Sequence, residues 1–195
     1  LVSIHFLGCI SHSIMLAHMV SMVTFSGIAS GLAAAMLSIV SAVTIISRFG
    51  MSFVAAHKGS RFTLGVAMLL QTTPMFILLW ADSLWGFYLF ALLFGIGYGG
   101  EMVGFPIFNK QIYGANAPLS TIYSYQIAGA TLGMALGGWL GGALFDFTGD
   151  YLWSIAIAII VGYIGLASVL ALPRKGNFSN QTRIQMSDRV NRAIL

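Results

Sequence analysis

Apolar residues run along the chain in six long stretches: Val2–Phe25, Gly27–Val54, Phe62–Ala81, Leu84–Ile107, Leu119–Phe145 and Leu152–Leu172. Each reaches the roughly 20 residues that a helix needs to cross a bilayer, and the longer ones leave room for tilt. The strict alternation of a membrane β-barrel is missing. An open segment in lipid can satisfy its backbone polar groups only as a helix. The pattern therefore predicts an all-α membrane protein, a six-transmembrane-helix bundle over residues 1–173. Residues 174–195 are polar and rich in Lys and Arg, and read as a solvated tail.

The connections are short. Ser26-Gly27, the stretch from Ala55 to Arg61, Asp82-Ser83, the stretch from Asn109 to Pro118, and Asp146 to Tyr151 separate successive segments. The chain starts at Leu1 inside an apolar run, with no basic region before it. A signal peptide is not expected. A fragment, or one domain of a longer protein, is.

Composition narrows the class. The chain has 195 residues, 58% of them hydrophobic and only 7% charged. A soluble domain carries about 25% charged residues. Disordered chains are poor in apolar residues. The 23 glycines show no three-residue period, and the single cysteine, Cys9, excludes a disulfide scaffold.

Position gives the charges their meaning. With six spans, the connections at 55–61 and 108–118 share a side with the tail. That side holds Lys58, Arg61, Lys110, Arg174, Lys175, Arg183, Arg189 and Arg192, and the opposite connections hold only Asp82, Asp146 and Asp150. The positive-inside rule places both chain ends in the cytoplasm of a plasma or inner membrane. The net charge of +4 then has a topological cause and needs no nucleic-acid partner.

Small residues indicate close packing. Gly129, Gly133, Gly137 and Gly141 recur every four residues in the fifth segment, on one helix face. The fourth has a similar series in two pairs, Gly95 with Gly99 and Gly100 with Gly104, and the second has Gly27, Gly31 and the small run Ala33-Ala34-Ala35. Such grooves let another helix approach closely in a bilayer, and they also suit surfaces that slide during a conformational cycle. Pro74 and Pro106 are candidate kinks.

Two charges stand within spans. Arg48 lies six residues before Val54, a long way for a side chain to snorkel. Arginine at membrane depth usually faces a cavity or a partner, and its planar fork suits a carboxylate. Glu101 follows Tyr98-Gly99-Gly100. A lone carboxylate there is placed to carry a proton, to pair with Arg48, or to hydrogen-bond across helices. His5, His12 and His18 lie in the first segment; His5 and His12 share a face, at a spacing of seven that does not make a helical metal site. His18 is the deepest and the candidate to line a pathway. In the fifth segment Tyr123 and Gln126 share a face, with Ser124 and Tyr125 beside them, either lining a cavity or bonding between helices.

These features resemble the C-terminal six-helix half of a major facilitator superfamily transporter over residues 1–173. The stretch His57-Lys58-Gly59-Ser60-Arg61 sits where that family has a short basic Gly-containing loop, with Ala56 at the position of its Asp. Phe94-Gly95-Ile96-Gly97-Tyr98-Gly99-Gly100, then Phe105-Pro106 and Tyr113-Gly114, resembles the Gly-rich fourth helix of this half in the monocarboxylate and oxalate/formate branches. The stretch from Gly141 through Asp146 to Tyr151 is similar to the outer turn of that branch. The resemblance implies inverted three-helix repeats, a missing N-terminal six-helix half, and a midplane substrate site between halves. It implies that Arg48, at the end of Val43-Thr44-Ile45-Ile46-Ser47-Arg48, holds a substrate carboxylate. Thr44 replaces the acid that some members carry one turn earlier, and Gln126 replaces the lysine of oxalate-type members. One fixed cation favours a monocarboxylate over a dicarboxylate.

The expected function is therefore secondary transport of a small organic anion by alternating access, by symport or antiport. Arg48, Gln126, Tyr123 and His18 are the candidate substrate-binding residues, and Glu101 is the candidate for proton coupling or an ion pair. The bilayer and the other half are the expected partners, with no metal or cofactor. An intramembrane serine protease would need a Gly-flanked serine with a histidine on an adjacent helix, and no Gly-x-Ser-x-Gly site occurs. A channel or structural oligomer built from identical six-helix units is the remaining alternative.

Overall fold

The computed structural model describes residues 1–81, 83–114 and 116–172; the basic tail at 174–195 and Asp82 lie outside the described residues. Six helices follow one another: α1 Val2–Phe25, α2 Ser30–Lys58, α3 Ser60–Thr72, α4 Leu84–Tyr113, α5 Leu119–Thr148 and α6 Leu152–Ala171. The α3 helix continues as a 3-10 turn over Thr73–Leu79, which extends this element to 20 residues. All six elements are long and apolar enough to cross a membrane, and no strand occurs among the described residues. The chain is a multi-pass membrane protein.

The helices outrun their apolar stretches at one end. The α2 helix continues to Lys58 rather than Val54, and α4 to Tyr113 rather than Ile107. Hydropathy marks the hydrocarbon layer, about 30 Å thick, whereas a helix of 29 residues is about 43 Å long and projects beyond it. The connection expected at 55–61 shrinks to Gly59, whose φ of 86° turns the backbone sharply between α2 and α3. The two prolines act differently. Pro74 stands at the start of the 3-10 turn, where α3 tightens, while α4 runs through Pro106 as a continuous helix.

The most extensive packing is between α1 and α5 and between α2 and α4. Next come α3 with α4 and α1 with α6, then α3 with α6. Exchanging α1, α2, α3 for α4, α5, α6 maps these pairs onto one another. The register gives the directions. Phe6 meets Gly133 and Ile10 meets Gly137, so α1 and α5 run parallel; Val40 meets Gly95 and Thr44 meets Gly99, so α2 and α4 do too. Ser60 bonds Gln111 while Gln71 bonds Glu101, so α3 and α4 are antiparallel. The second triplet therefore runs opposite to the first.

The glycine faces of α4 and α5 pack as expected, whereas a Cβ on Gly27 or Gly31 of the second segment would meet nothing within 4 Å. A Cβ on Gly133 would sit 2.5 Å from the Phe6 carbonyl oxygen, and one on Gly99 2.5 Å from the Thr44 carbonyl oxygen. Backbone meets backbone at both crossings.

Two apolar clusters divide the core. One gathers Ile14, Met19, Met36, Phe87, Phe90 and Ile155 toward the end that holds Asp146 and Asp150. The other gathers Ile4, Leu64, Met68, Phe105, Phe108 and Val169 toward the end that holds Lys58, Arg61 and Lys110. The level between them is polar.

Candidate functional site

Glu101 lies about 4 Å along α4 from the helix midpoint and is 2% exposed. Its Oε2 accepts a hydrogen bond from Gln71 Nε2 at 2.7 Å. His12 Nδ1 donates to the same oxygen at 3.2 Å, an ion pair whenever the imidazole is protonated. Oε1 has no partner and lies over Gly8, where a Cβ would come within 2.5 Å of it. His5 stacks on Phe105 with ring centres 4.0 Å apart, and His12 meets the Tyr98 ring edge-on at 4.8 Å. His5 Nδ1 and His12 Nε2 are buried without a partner.

Three helices build this cluster: α1 with His5, Cys9 and His12, α3 with Gln71 near its end, and α4 with Tyr98 and Glu101 near its middle. Of the alternatives open for Glu101, the structure joins it to His12 and Gln71, not to Arg48. Cys9 and Gln71 were not singled out from the sequence. The signal for Cys9 was present: it follows His5 by four residues and precedes His12 by three, so all three lie on one helix face. His5, Cys9 and Glu101 are the metal-type donors that come together among the described residues, with ligand atoms up to 4.8 Å apart. Donors around a tetrahedral zinc ion sit about 3.3–3.8 Å apart, so this group is more open than a closed metal site. A carboxylate joined to a histidine, with three buried unpartnered atoms around it, is a place to hold or share a proton.

Arg48 stands elsewhere. It is exposed on α2, about 6 Å along the helix from the midpoint at Thr44, with Nη2 directed at Met102 Sδ at 2.7 Å. The neighbouring residues explain its direction. Thr44 and Ser47 face α4, bonding the Gly95 and Ile96 carbonyls at 3.2 and 2.6 Å. One residue further is a turn of about 100° about the axis, which turns Arg48 out of the buried seam while its guanidinium still reaches Met102 of α4. It shares a face with the exposed Ser38, Ser41 and Ile45 and the half-buried Ser52, beside the exposed apolar residues Ile46, Phe49 and Phe53. The α5 helix exposes a comparable small and polar stripe: Ser120, Ser124, Ala128, Thr131 and Ala135.

The other three candidates contact neighbouring helices. Gln126 is 1% exposed and its Oε1 accepts from Asn109 Nδ2 at 2.6 Å, tying α5 to α4. Tyr123 is half-buried against the apolar cluster at the basic end. His18 Nε2 bonds the Gly138 carbonyl at 2.8 Å, beside Gly141 and Gly142, and joins α1 to α5. Arg48, Gln126 and His18 each bond a different partner, Met102, Asn109 and the Gly138 carbonyl.

Neither a protein-family model nor a curated protein sequence matches the chain.

Proposed function

We propose that this chain is one half of a secondary transporter of the major facilitator type, moving a small organic anion by alternating access. The observation that carries the reading is the helix packing, which repeats from α1–α3 to α4–α6 with directions reversed. Inverted repeats of this kind recur in secondary transporters, where the site forms near the midplane between rocking units. The exposed small and polar residues of α2 and α5 support a second unit, since serines, threonines and an arginine at membrane depth favour a cavity or protein over lipid. On this reading Arg48 meets the carboxylate of a monocarboxylate between the two units. Glu101 and His12 hold the coupling proton inside this one. The end bearing Lys58, Arg61 and Lys110 faces the cytoplasm, in keeping with the positive-inside rule.

Uptake of labelled monocarboxylates into proteoliposomes by the complete transporter tests each part. Arg48→Lys keeps the charge but loses the fork, and uptake falls at least tenfold with unchanged protein level; undiminished uptake refutes the carboxylate role. Glu101→Gln abolishes uptake driven by a pH gradient yet preserves exchange of internal for external substrate. If both persist, the proton does not sit at Glu101. The 195-residue chain reconstituted alone shows no saturable uptake, whereas saturable uptake or unitary currents would favour identical six-helix units.

A further inference from the structure

On the outer wall of the bundle, at its basic end, the turn between α2 and α3 and the ends of α4 and α6 enclose a groove of ≈ 680 Å³. Val66 and Leu69 of α3, Phe108 and Ile112 of α4, and Leu166 and Leu170 of α6 form its apolar walls. Gly65 leaves the space between α3 and α6 open: a Cβ there would meet only Leu170 Cδ2, at 3.6 Å. The mouth is cationic. His57, Lys58 and Arg61 line it, and the Arg61 guanidinium donates to the Leu170 carbonyl, which fixes that charge over the groove.

We propose that this groove binds one anionic glycerophospholipid, its phosphate between Lys58 and Arg61 and one acyl chain along α3 between α4 and α6. Three features carry the assignment. Charge is ordered along the groove, cations at the rim and apolar residues below, and no carboxylate lines it among the described residues. From Arg61 to Leu69 the helix descends about 12 Å, close to the depth of one leaflet of a hydrocarbon core about 30 Å thick. The charge also selects the occupant. Residues 174–195 follow α6 but carry Arg174, Lys175, Arg183, Arg189 and Arg192 against Asp188, so the tail is repelled by the cationic rim that attracts a phosphate. Basic pockets between helices at a membrane face hold lipid headgroups in this way, with each nearby cation worth about a fivefold change in affinity.

The test is native mass spectrometry of the 195-residue chain in detergent, titrated separately with phosphatidylglycerol, phosphatidylcholine and inorganic phosphate. One phosphatidylglycerol is expected to remain bound, at least fivefold tighter than phosphatidylcholine, with no retention of inorganic phosphate. Lys58→Ala weakens phosphatidylglycerol about fivefold and leaves phosphatidylcholine unchanged. Gly65→Leu fills the floor and removes binding of both lipids. Equal retention of the two lipids, or phosphatidylglycerol binding that Lys58→Ala leaves intact, overturns the proposal. Retention of inorganic phosphate as strong as that of phosphatidylglycerol does so too, since the site would then be an anion site without a lipid groove.

Discussion

Replacing Gly133 by alanine adds one methyl group where α1 and α5 pack backbone against backbone. The new Cβ would stand 2.5 Å from the Phe6 carbonyl oxygen and 3.1 Å from Cys9 Cβ. The oxygen is backbone, so no side-chain rotation relieves the clash. Restoring an ordinary contact of 3.4 Å from 2.5 Å moves the helices apart by 0.9 Å. A gap of about 0.5–1 Å forfeits a quarter to a half of each dispersion well along the seam. Overpacking of this kind costs about 1–3 kcal/mol. Alanine also gains about 1 kcal/mol of helix propensity over glycine, which obscures the net effect. Gly138→Ala removes that ambiguity. It lies in the same helix, but its Cβ would meet Ala17 Cβ and Ser13 Oγ at 3.7 Å, an ordinary contact. Propensity cancels between the two variants, so Gly133→Ala should be less stable than Gly138→Ala by about 1–3 kcal/mol. Unfolding in mixed micelles, followed by circular dichroism as the denaturing detergent fraction rises, measures the difference. Equal midpoints would refute the backbone-to-backbone reading of this interface.

Two further variants probe the polar level. Gln71→Leu removes the 2.7 Å hydrogen bond to Glu101, and a bond to a charged group contributes about 1.5–3 kcal/mol. The same unfolding assay should show a loss in that range, and wild-type stability would mean that the Glu101 carboxylate is held some other way. Cys9 is 2% exposed, so a membrane-permeant maleimide should label it only as fast as the bundle opens; labelling in the folded protein at the rate of a free thiol would place Cys9 on an accessible surface instead.

The helix count, the short connections and the glycine faces were legible because each is a local property of one segment. Helix ends were less so, since Ala55–Lys58 and Phe108–Tyr113 are helical beyond the stretches that hydropathy marks. Pairings between helices were the least legible. The composition makes Glu101 an isolated acid, but its neighbours depend on how α1, α3 and α4 are rotated. Arg48 shows the limit most plainly: Ser47 is buried against α4 while Arg48 is exposed and reaches α4 through Met102, and that difference comes from the register of α2 against Gly95 and Gly99. Gln71 and Asn109 carried no pattern of their own and acquire a role only through Glu101 and Gln126.

The separation of the two interior charges bears on the chemistry each can support. Had Glu101 paired with Arg48, the bundle would be neutral within itself and would need nothing from outside. Glu101 instead faces His12, and the pair is neutral in total when the imidazole is protonated. Arg48 receives no such compensation among the described residues, because the Met102 sulfur is a weak acceptor without charge. A guanidinium does not deprotonate, so its charge persists at membrane depth. On the proposed function, the anion that meets Arg48 beside the polar stripe of α2 comes from outside these six helices. A carboxylate substrate supplies it transiently, and a fixed acid on a second unit would supply it permanently. Only the first leaves Arg48 charged and vacant when substrate departs, so substrate carboxylate should shield a cysteine placed at Ser52, one turn along the stripe, from a charged thiol reagent. A fixed acid would leave its labelling rate the same with and without substrate.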